Sequence, residues 1–248
     1  MGNKKYNITN PYETYLYPKE YYELYAMHLL QELFPDKYAN LCFIGGNESP
    51  DLQDRVHGIG VEVTCAFDTE ELNARQLFAK FAGAKETEIP QSVREIWCNA
   101  GVFVNTDGVN SDHVFTDFIS AEKRANKQEK LLDQSLHDKT AKLNGPKYDH
   151  FERQELFVIT HRAVSKTCVE KTIRNFYNAC NGSDLRVYDA IYVCALKQLF
   201  SVNISVANTQ VIQLLDIEGL SGECEYMAYV ESGCEAKSKE ILQKHGWI

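Results

Sequence analysis

The chain is short of the features that announce many protein classes. Its eight cysteines include no C-x-x-C pair, so the ligand spacing of a structural zinc site is missing. Its seven histidines form no H-x-x-x-H pair. Gly45-Gly46 lacks the lysine and the further glycines of a phosphate-cradling loop. No apolar run approaches the length of a membrane span, and no internal repeat or low-complexity tract is visible. The opening stretch MGNKKYNITN is polar, unlike a secretory leader. The expectation is a cytoplasmic protein with free thiols, because a reducing compartment keeps cysteines unpaired. An excess of basic residues is missing too. A net charge of −9 disfavours non-specific attraction to polyanions, so a nucleic-acid partner would need a local basic patch.

What is present fits a soluble globular protein. At 248 residues, 44% apolar and 25% charged, the chain can bury a sizeable core without disulfide or metal staples. The pattern predicts an amphipathic helix over 18–38, with Tyr22, Ala26, Leu29 and Leu33 at helical spacing and Pro35 ending it. A short buried strand, ANLCFIGG, follows. The next strand, over Ile59–Thr64, belongs to a hairpin that begins at Asp51, and Gly58 and Gly60 suit its tight entry or a bulge. A helix is predicted over 68–83, capped by Asp68 or Thr69 and stopped by Gly83. EIWCNAGVFVN (95–105) reads as a strand or hairpin. The longest helical pattern covers 111–139, with a stripe through Phe118, Ala121, Ala125, Leu132 and Leu136. Thereafter QELFVITH reads as a buried strand, AVSKTCVEKTIRNFYNACNG as a helix, VYDAIYVCAL as a strand, VIQLLDI as a strand, and 234–245 as a helix. One α/β domain over 1–248 with insertions is the simplest organisation.

One segment stands out, NESPDLQDRVHGIGVEVTCAFD (47–68). Glu62 sits mid-strand between Val61 and Val63, which point to the opposite face. It shares its own face with Gly60 and Thr64, whose small side chains leave room. Eleven residues upstream lies Pro50-Asp51. Phosphodiester hydrolysis needs an activated water and a stabiliser for charge on the phosphoryl oxygens. A divalent cation held by two or three carboxylates supplies both, and a nearby lysine helps. An acid at a turn and a second acid on a rigid strand are two of those parts.

Pro50-Asp51 and Glu62-Val63-Thr64 resemble the core motif of the PD-(D/E)xK nuclease-like superfamily, which has the restriction-endonuclease fold. The element order is similar as well: helix, three strands, helix, strand, laid over about 18–200, with an insertion near 68–110 and an extension over 201–248. The resemblance implies a central mixed β-sheet flanked by helices. It also implies Mg²⁺ or Mn²⁺ as cofactor and Asp51 and Glu62 as metal ligands. A supporting glutamate on the first helix is implied too, assigned to Glu23 with Glu20 as competitor. The implied activity is a metal-dependent nuclease acting on nucleic acid, DNA ahead of RNA, with no membrane partner and with a homodimer as a frequent assembly. The family's lysine, two residues after the strand glutamate, is replaced here by Thr64. Some members carry it on the following helix, where AEKRANKQEK offers Lys127, with Lys123 second.

Other readings stand beside these. Glu62 could be an edge-strand residue facing solvent, and Asp51 a plain turn residue. Asp54 and Glu48 are rival acids, and the lysines could form a solvated helix face. Cys65 beside the strand reads as a buried thiol rather than a nucleophile, and His161 as structural. Thr64 and the acidic charge favour an alternative: a catalytically inactive scaffold of the same fold, acting as a binding module. In a third reading, the motif is a coincidence within an unrelated α/β domain.

Overall fold

The computed structural model describes residues 17–46, 49–68, 88–99, 102–106, 114–120, 125–160, 162–204 and 210–234, with isolated helical residues between 70 and 81. The chain divides into two compact units, one from 17–66 and 126–248, the other including 67–125.

The larger unit is built on a seven-stranded mixed sheet. Its elements begin with α1 (Lys19–Leu33), α2 (Pro35–Tyr38), β1 (Cys42–Phe43), β2 (Leu52–Asp54) and β3 (Ile59–Cys65). Beyond 125 come the long helix Ala125–Leu143, then the strand Arg153–Thr160, the helix Lys166–Cys180 and the strands Ala190–Ala195, Gln198–Ile204 and Gln210–Asp216. The helix Glu218–Glu231 closes the series. In chain order, three elements of the smaller unit precede these: α3 (Gln91–Asn99), and β4 (Val102–Thr106) paired antiparallel with β5 (Val114–Ser120). The later elements are therefore α4 (Ala125–Leu143), β6 (Arg153–Thr160), α5 (Lys166–Cys180), β7 (Ala190–Ala195), β8 (Gln198–Ile204), β9 (Gln210–Asp216) and α6 (Glu218–Glu231).

The sheet order is β1-β2-β3-β6-β7-β8-β9. β1, β2 and β3 form an antiparallel meander, and β6 joins β3 in parallel, with Glu62 beside Leu156. A parallel neighbour requires a crossover, and α4 is the helix of that crossover. β7 continues in parallel, whereas β8 and β9 return antiparallel.

Alternation along the strands sorts the two faces. On the face that carries Glu62, Leu156, Val158, Ile191, Val193, Phe200 and Val202 form the main core. Leu132, Leu136 and Leu143 of α4 and Val169, Ile173 and Phe176 of α5 pack onto it. Tyr177 donates to Tyr188 O, and Ser165 caps α5 by accepting Cys168 N–H. On the opposite face, α1 packs against β3 and α6. That double contact explains why α1 is buried almost all round, from Tyr21 to Ala26 and again at Leu29 and Leu30. In the smaller unit, Trp97 packs with Ala74, Ile89 and Val93 and donates its indole N–H to Ala74 O.

Several expectations are corrected. β1 is a two-residue edge strand, exposed at Cys42, not a buried one. Residues 91–99 are helical where a strand or hairpin was expected from 95. Residues 114–120 are a strand, not the first half of a long helix. Val114, Phe115 and Ile119, which are β-branched or aromatic, pair with β4. Phe118 therefore belongs to β5, not to the helical stripe, whose core members are Leu132, Leu136 and Leu143, and Ala121 lies outside the described residues. β8 and α6 were not foreseen. Gly219 and Gly222 weaken the helical signal of α6, and Ile217 offers its N-terminus no side-chain cap. The helix expected over 234–245 lies outside the described residues apart from Cys234, as do Glu48, Lys123 and His161. No helix among the described residues is long and apolar enough to cross a membrane.

Candidate active site

The β2–β3 meander brings Asp51 and Glu62 together. Leu52 pairs with Val61, so Asp51, one residue earlier, lies across from Glu62. The Asp51 Oδ2 atom accepts the Val63 peptide N–H at 2.8 Å, and this is the peptide that joins Glu62 to Val63. The approach depends on Gly60. A Cβ there would lie 2.5 Å from Pro50 Cγ and 2.9 Å from Phe151 Cδ2. Gly60 is paired within β3 opposite Gln53 rather than forming a bulge, and Pro50 and Phe151 occupy the room its missing side chain leaves.

Around each carboxylate the structure places lysines. Lys19, in the first turn of α1, donates to Asp51 Oδ1 at 2.8 Å and also pairs with Glu23, one helical turn further on. Glu23 is buried, whereas Glu20 is exposed, so Glu23 is the glutamate that faces Asp51. Glu62 has a side chain that is 0% exposed and is held through Oε1 by both Lys139 and Lys142 of α4. Its Oε2 is buried and, among the described residues, has no hydrogen-bond partner. The phenols of Tyr148 and Tyr188 belong to the same region. Burial raises both hydroxyl pKa values, and the charges of Glu62 and Asp51 add to the effect.

The electrostatics separate the acids. Burial raises the Asp51 carboxyl pKa, but the hydrogen bonds from Lys19 and Val63 N–H outweigh it and hold the group below its ordinary value. Glu23 goes the other way. Burial pushes it up to about 7, with the Asp51 charge adding to the rise and Lys19 opposing it. Burial likewise pushes the Cys65 thiol up to about 12, with Lys139 opposing and Glu23 reinforcing. A thiol of that acidity stays protonated at neutral pH, and Cys65 itself is half-buried rather than fully buried.

Lys127 does not share this position. Along α4 it precedes Lys139 by twelve residues, about 18 Å of helix. Its neighbour Gln128 donates to Ala66 O, beyond the end of β3. The lysines at Glu62 are thus Lys139 and Lys142, which lie beyond the AEKRANKQEK run that offers Lys127 in the middle of the predicted helix. A signal was there: Lys139 follows Leu136 by three residues and precedes Leu143 by four, so it lies on the buried stripe. Lys19 was also missed, although its spacing from Glu23 is that of a helical ion pair. The rival acid Asp54 is committed elsewhere. It accepts the N–H groups of Val56 and His57 and the His57 ring, closing the β2–β3 turn.

Among the described residues, no group of three or more His, Cys, Asp or Glu side chains is arranged to hold a metal ion. Two carboxylates with hard oxygen donors nevertheless suit Mg²⁺, which keeps several waters and takes one or two protein carboxylates. The orphaned Glu62 Oε2 is an acceptor such an ion could use. The donor set therefore fits the cofactor that the motif implies.

No family model, curated protein or solved structure matches the chain.

Proposed function

We propose that the chain is a metal-dependent nuclease that hydrolyses phosphodiester bonds, with DNA ahead of RNA as substrate. One observation carries the reading: Asp51 is bonded to the peptide beside Glu62 while two lysines of the crossover helix reach the Glu62 carboxylate. The succession of α1, the three-stranded meander, α4 and parallel β6 supports it, being the order that the PD-(D/E)xK resemblance implies.

In this reading Asp51 and Glu62 would hold Mg²⁺ or Mn²⁺. When bound, such an ion stabilises charge on phosphoryl oxygens and makes water a better nucleophile. The chain's own residues do the rest. The Val63 N–H and Lys19 fix the Asp51 carboxylate in its ionised form. Glu23, near its titration midpoint at neutral pH, can take up or release a proton beside it. Lys139 and Lys142 supply the positive charge that Thr64 cannot, and would balance the scissile phosphate. Both are partly exposed, with side-chain values of 18% and 39%, so they can turn from Glu62 toward a ligand.

A second reading has its own observation. Lys19, Lys139 and Lys142 already neutralise Asp51, Glu23 and Glu62, which describes a self-contained internal network on an inactive binding scaffold. The conservative variants Asp51→Asn and Glu62→Gln separate the two. Under the nuclease reading, each abolishes Mn²⁺-dependent cleavage of DNA while circular dichroism and melting remain native-like. Calorimetry should show a Mn²⁺ site in the parent that both variants lose. A parent that neither cleaves nor binds Mn²⁺ establishes the inactive scaffold.

A further inference from the structure

A second buried carboxylate plays no part in the site above. Glu155 lies on β6, on the sheet face opposite Glu62, and is 0% exposed. It is the acceptor of a chain of hydrogen bonds, closed into a ring by an ion pair, whose direction chemistry fixes. An ammonium can only donate and a carboxylate can only accept. Lys37 Nζ lies 3.2 Å from Tyr192 Oη and therefore donates to it. Tyr38 donates to Glu155 Oε2. Tyr38 must then accept from Tyr192, 2.6 Å away. Lys37 closes the ring by pairing with Glu155 Oε1 at 2.7 Å. Its ammonium also stands 4.6 Å from the Tyr38 ring centroid. Burying a carboxylate is costly unless it is paired and hydrogen-bonded, and the pairing here also holds its partners in place. What it holds is Lys37, with one N–H left over, and, more loosely, Arg153 at 3.4 Å.

Above the ring lies a cavity of about 450 Å³, lined by Lys37, Arg153 and Tyr192 at one end. Phe34 contributes an apolar wall, its ring centroid 5.9 Å from that of Tyr192. The floor continues across the sheet with Ser201 and Asn203 of β8 and Gln213 of β9. These three share the face of Tyr192 by register. Asp189 lines the cavity too, one carboxylate oxygen bonded to Gln154 N–H at 2.7 Å, the other able to accept from a ligand hydroxyl. The volume falls within the range of small-molecule sites.

We propose that this cavity is a binding site for a small phosphorylated ligand of nucleoside-monophosphate type. Lys37 and Arg153 take the phosphate, since together they offer a point charge and a planar fork to its oxygens. Asp189 accepts from sugar hydroxyls. Phe34 packs on the planar base, and the Asn203 and Gln213 amides meet its polar edge, an amide being able to donate and accept at once. The site is independent of the nuclease reading, because its described lining includes none of Asp51, Glu62, Lys19, Lys139 and Lys142.

The test is calorimetric titration of the full chain with the four 5′-nucleoside monophosphates, with inorganic phosphate and with a single-stranded oligonucleotide. At least one mononucleotide should bind. Arg153→Ala, half-exposed and outside the ring, and Asn203→Ala should each weaken that binding by about tenfold or more, the scale of one lost charge-assisted or specific hydrogen bond. Both should melt with the parent, and Asp51→Asn should bind as the parent does. The proposal is overturned if no mononucleotide binds at millimolar concentration. It also fails if binding is indifferent to both variants, or if phosphate alone or the oligonucleotide accounts for all the affinity.

Discussion

Asp51 and Val63 are joined side chain to backbone across the β2–β3 meander, Oδ2 to N–H at 2.8 Å, while Lys19 holds the other oxygen. An acid at a turn is thereby locked to the central strand at the position next to Glu62. The bond ties local geometry to charge. Asp51→Ala should remove an acceptor from a buried N–H and a partner from Lys19, lowering stability by about 1–3 kcal/mol. Asp51→Asn should retain most of that stability, because a carboxamide oxygen still accepts the Val63 N–H. Urea unfolding of both variants checks the difference. Equal losses would mean that the N–H bond contributes nothing.

Gly60 sets the distance between Pro50 and β3. A Cβ there would stand 2.5 Å from Pro50 Cγ, inside any tolerable contact. Gly60→Ala must therefore move the Pro50-Asp51 segment or Phe151. The expected cost is about 1–3 kcal/mol, the range for an overpacked interior, together with loss of Mn²⁺ affinity. Calorimetry alongside urea unfolding measures both. Parent-like values in both would show that the meander gives way freely at this point.

The strands that carry the candidate site were legible because their runs of apolar residues are short and bounded by turns. Ile59–Thr64, QELFVITH and VYDAIYVCAL overlap β3, β6 and β7 for that reason, with ends that differ by one to three residues. Asp51 and Glu62 were legible as chemistry, since a lone glutamate between valines conflicts with burial unless something partners it. Their cationic partners were less visible. Which turn of α4 meets Glu62 depends on how the helix docks, through Leu132, Leu136 and Gln128, and no local pattern states that. With β5 read as helix, Lys127 falls mid-helix, whereas α4 starts at Ala125 and places it in the first turn. Glu155 was unreadable as a network because its partners come from α2 and β7, 117 and 37 residues away in opposite directions along the chain.

Lys139 and Lys142 both meet one oxygen of Glu62, so they should act redundantly for stability. Lys139→Met or Lys142→Met alone leaves the carboxylate paired. The double variant leaves a fully buried charge uncompensated and should cost about 3–5 kcal/mol, well above the sum of the single effects. A double-mutant cycle by urea unfolding reads the excess. Lys127→Met, far along the helix, should leave Mn²⁺ binding at its parental level. Additive losses across the cycle would remove the shared-oxygen arrangement from consideration.

Glu23 gives the pH dependence its sign. Its folded carboxyl titrates at about 7, against an ordinary 4.5, because burial and the Asp51 charge disfavour ionisation. Between those values the folded chain keeps a proton that the unfolded chain has lost, so stability falls as pH rises through this window. The contribution is fully present below about 4.5 and gone above about 7. Asp51 acts in the opposite sense and lower down. Its folded carboxyl is held below 3.8, so its contribution is present above that value and is lost only as pH falls through the folded pKa. Glu23→Gln keeps a neutral side chain at every pH. Its stability relative to the parent should therefore rise between pH 5 and pH 8, while the acid limb governed by Asp51 stays in place. Because the ionised carboxylate is the form that can assist a cation, Mn²⁺ affinity of the parent should climb through pH 7 and that of Glu23→Gln should not. Unfolding and calorimetric series at half-unit pH intervals read both curves. A parent and variant that run parallel from pH 5 to 8 would show that Glu23 is ionised throughout and has no part in either effect.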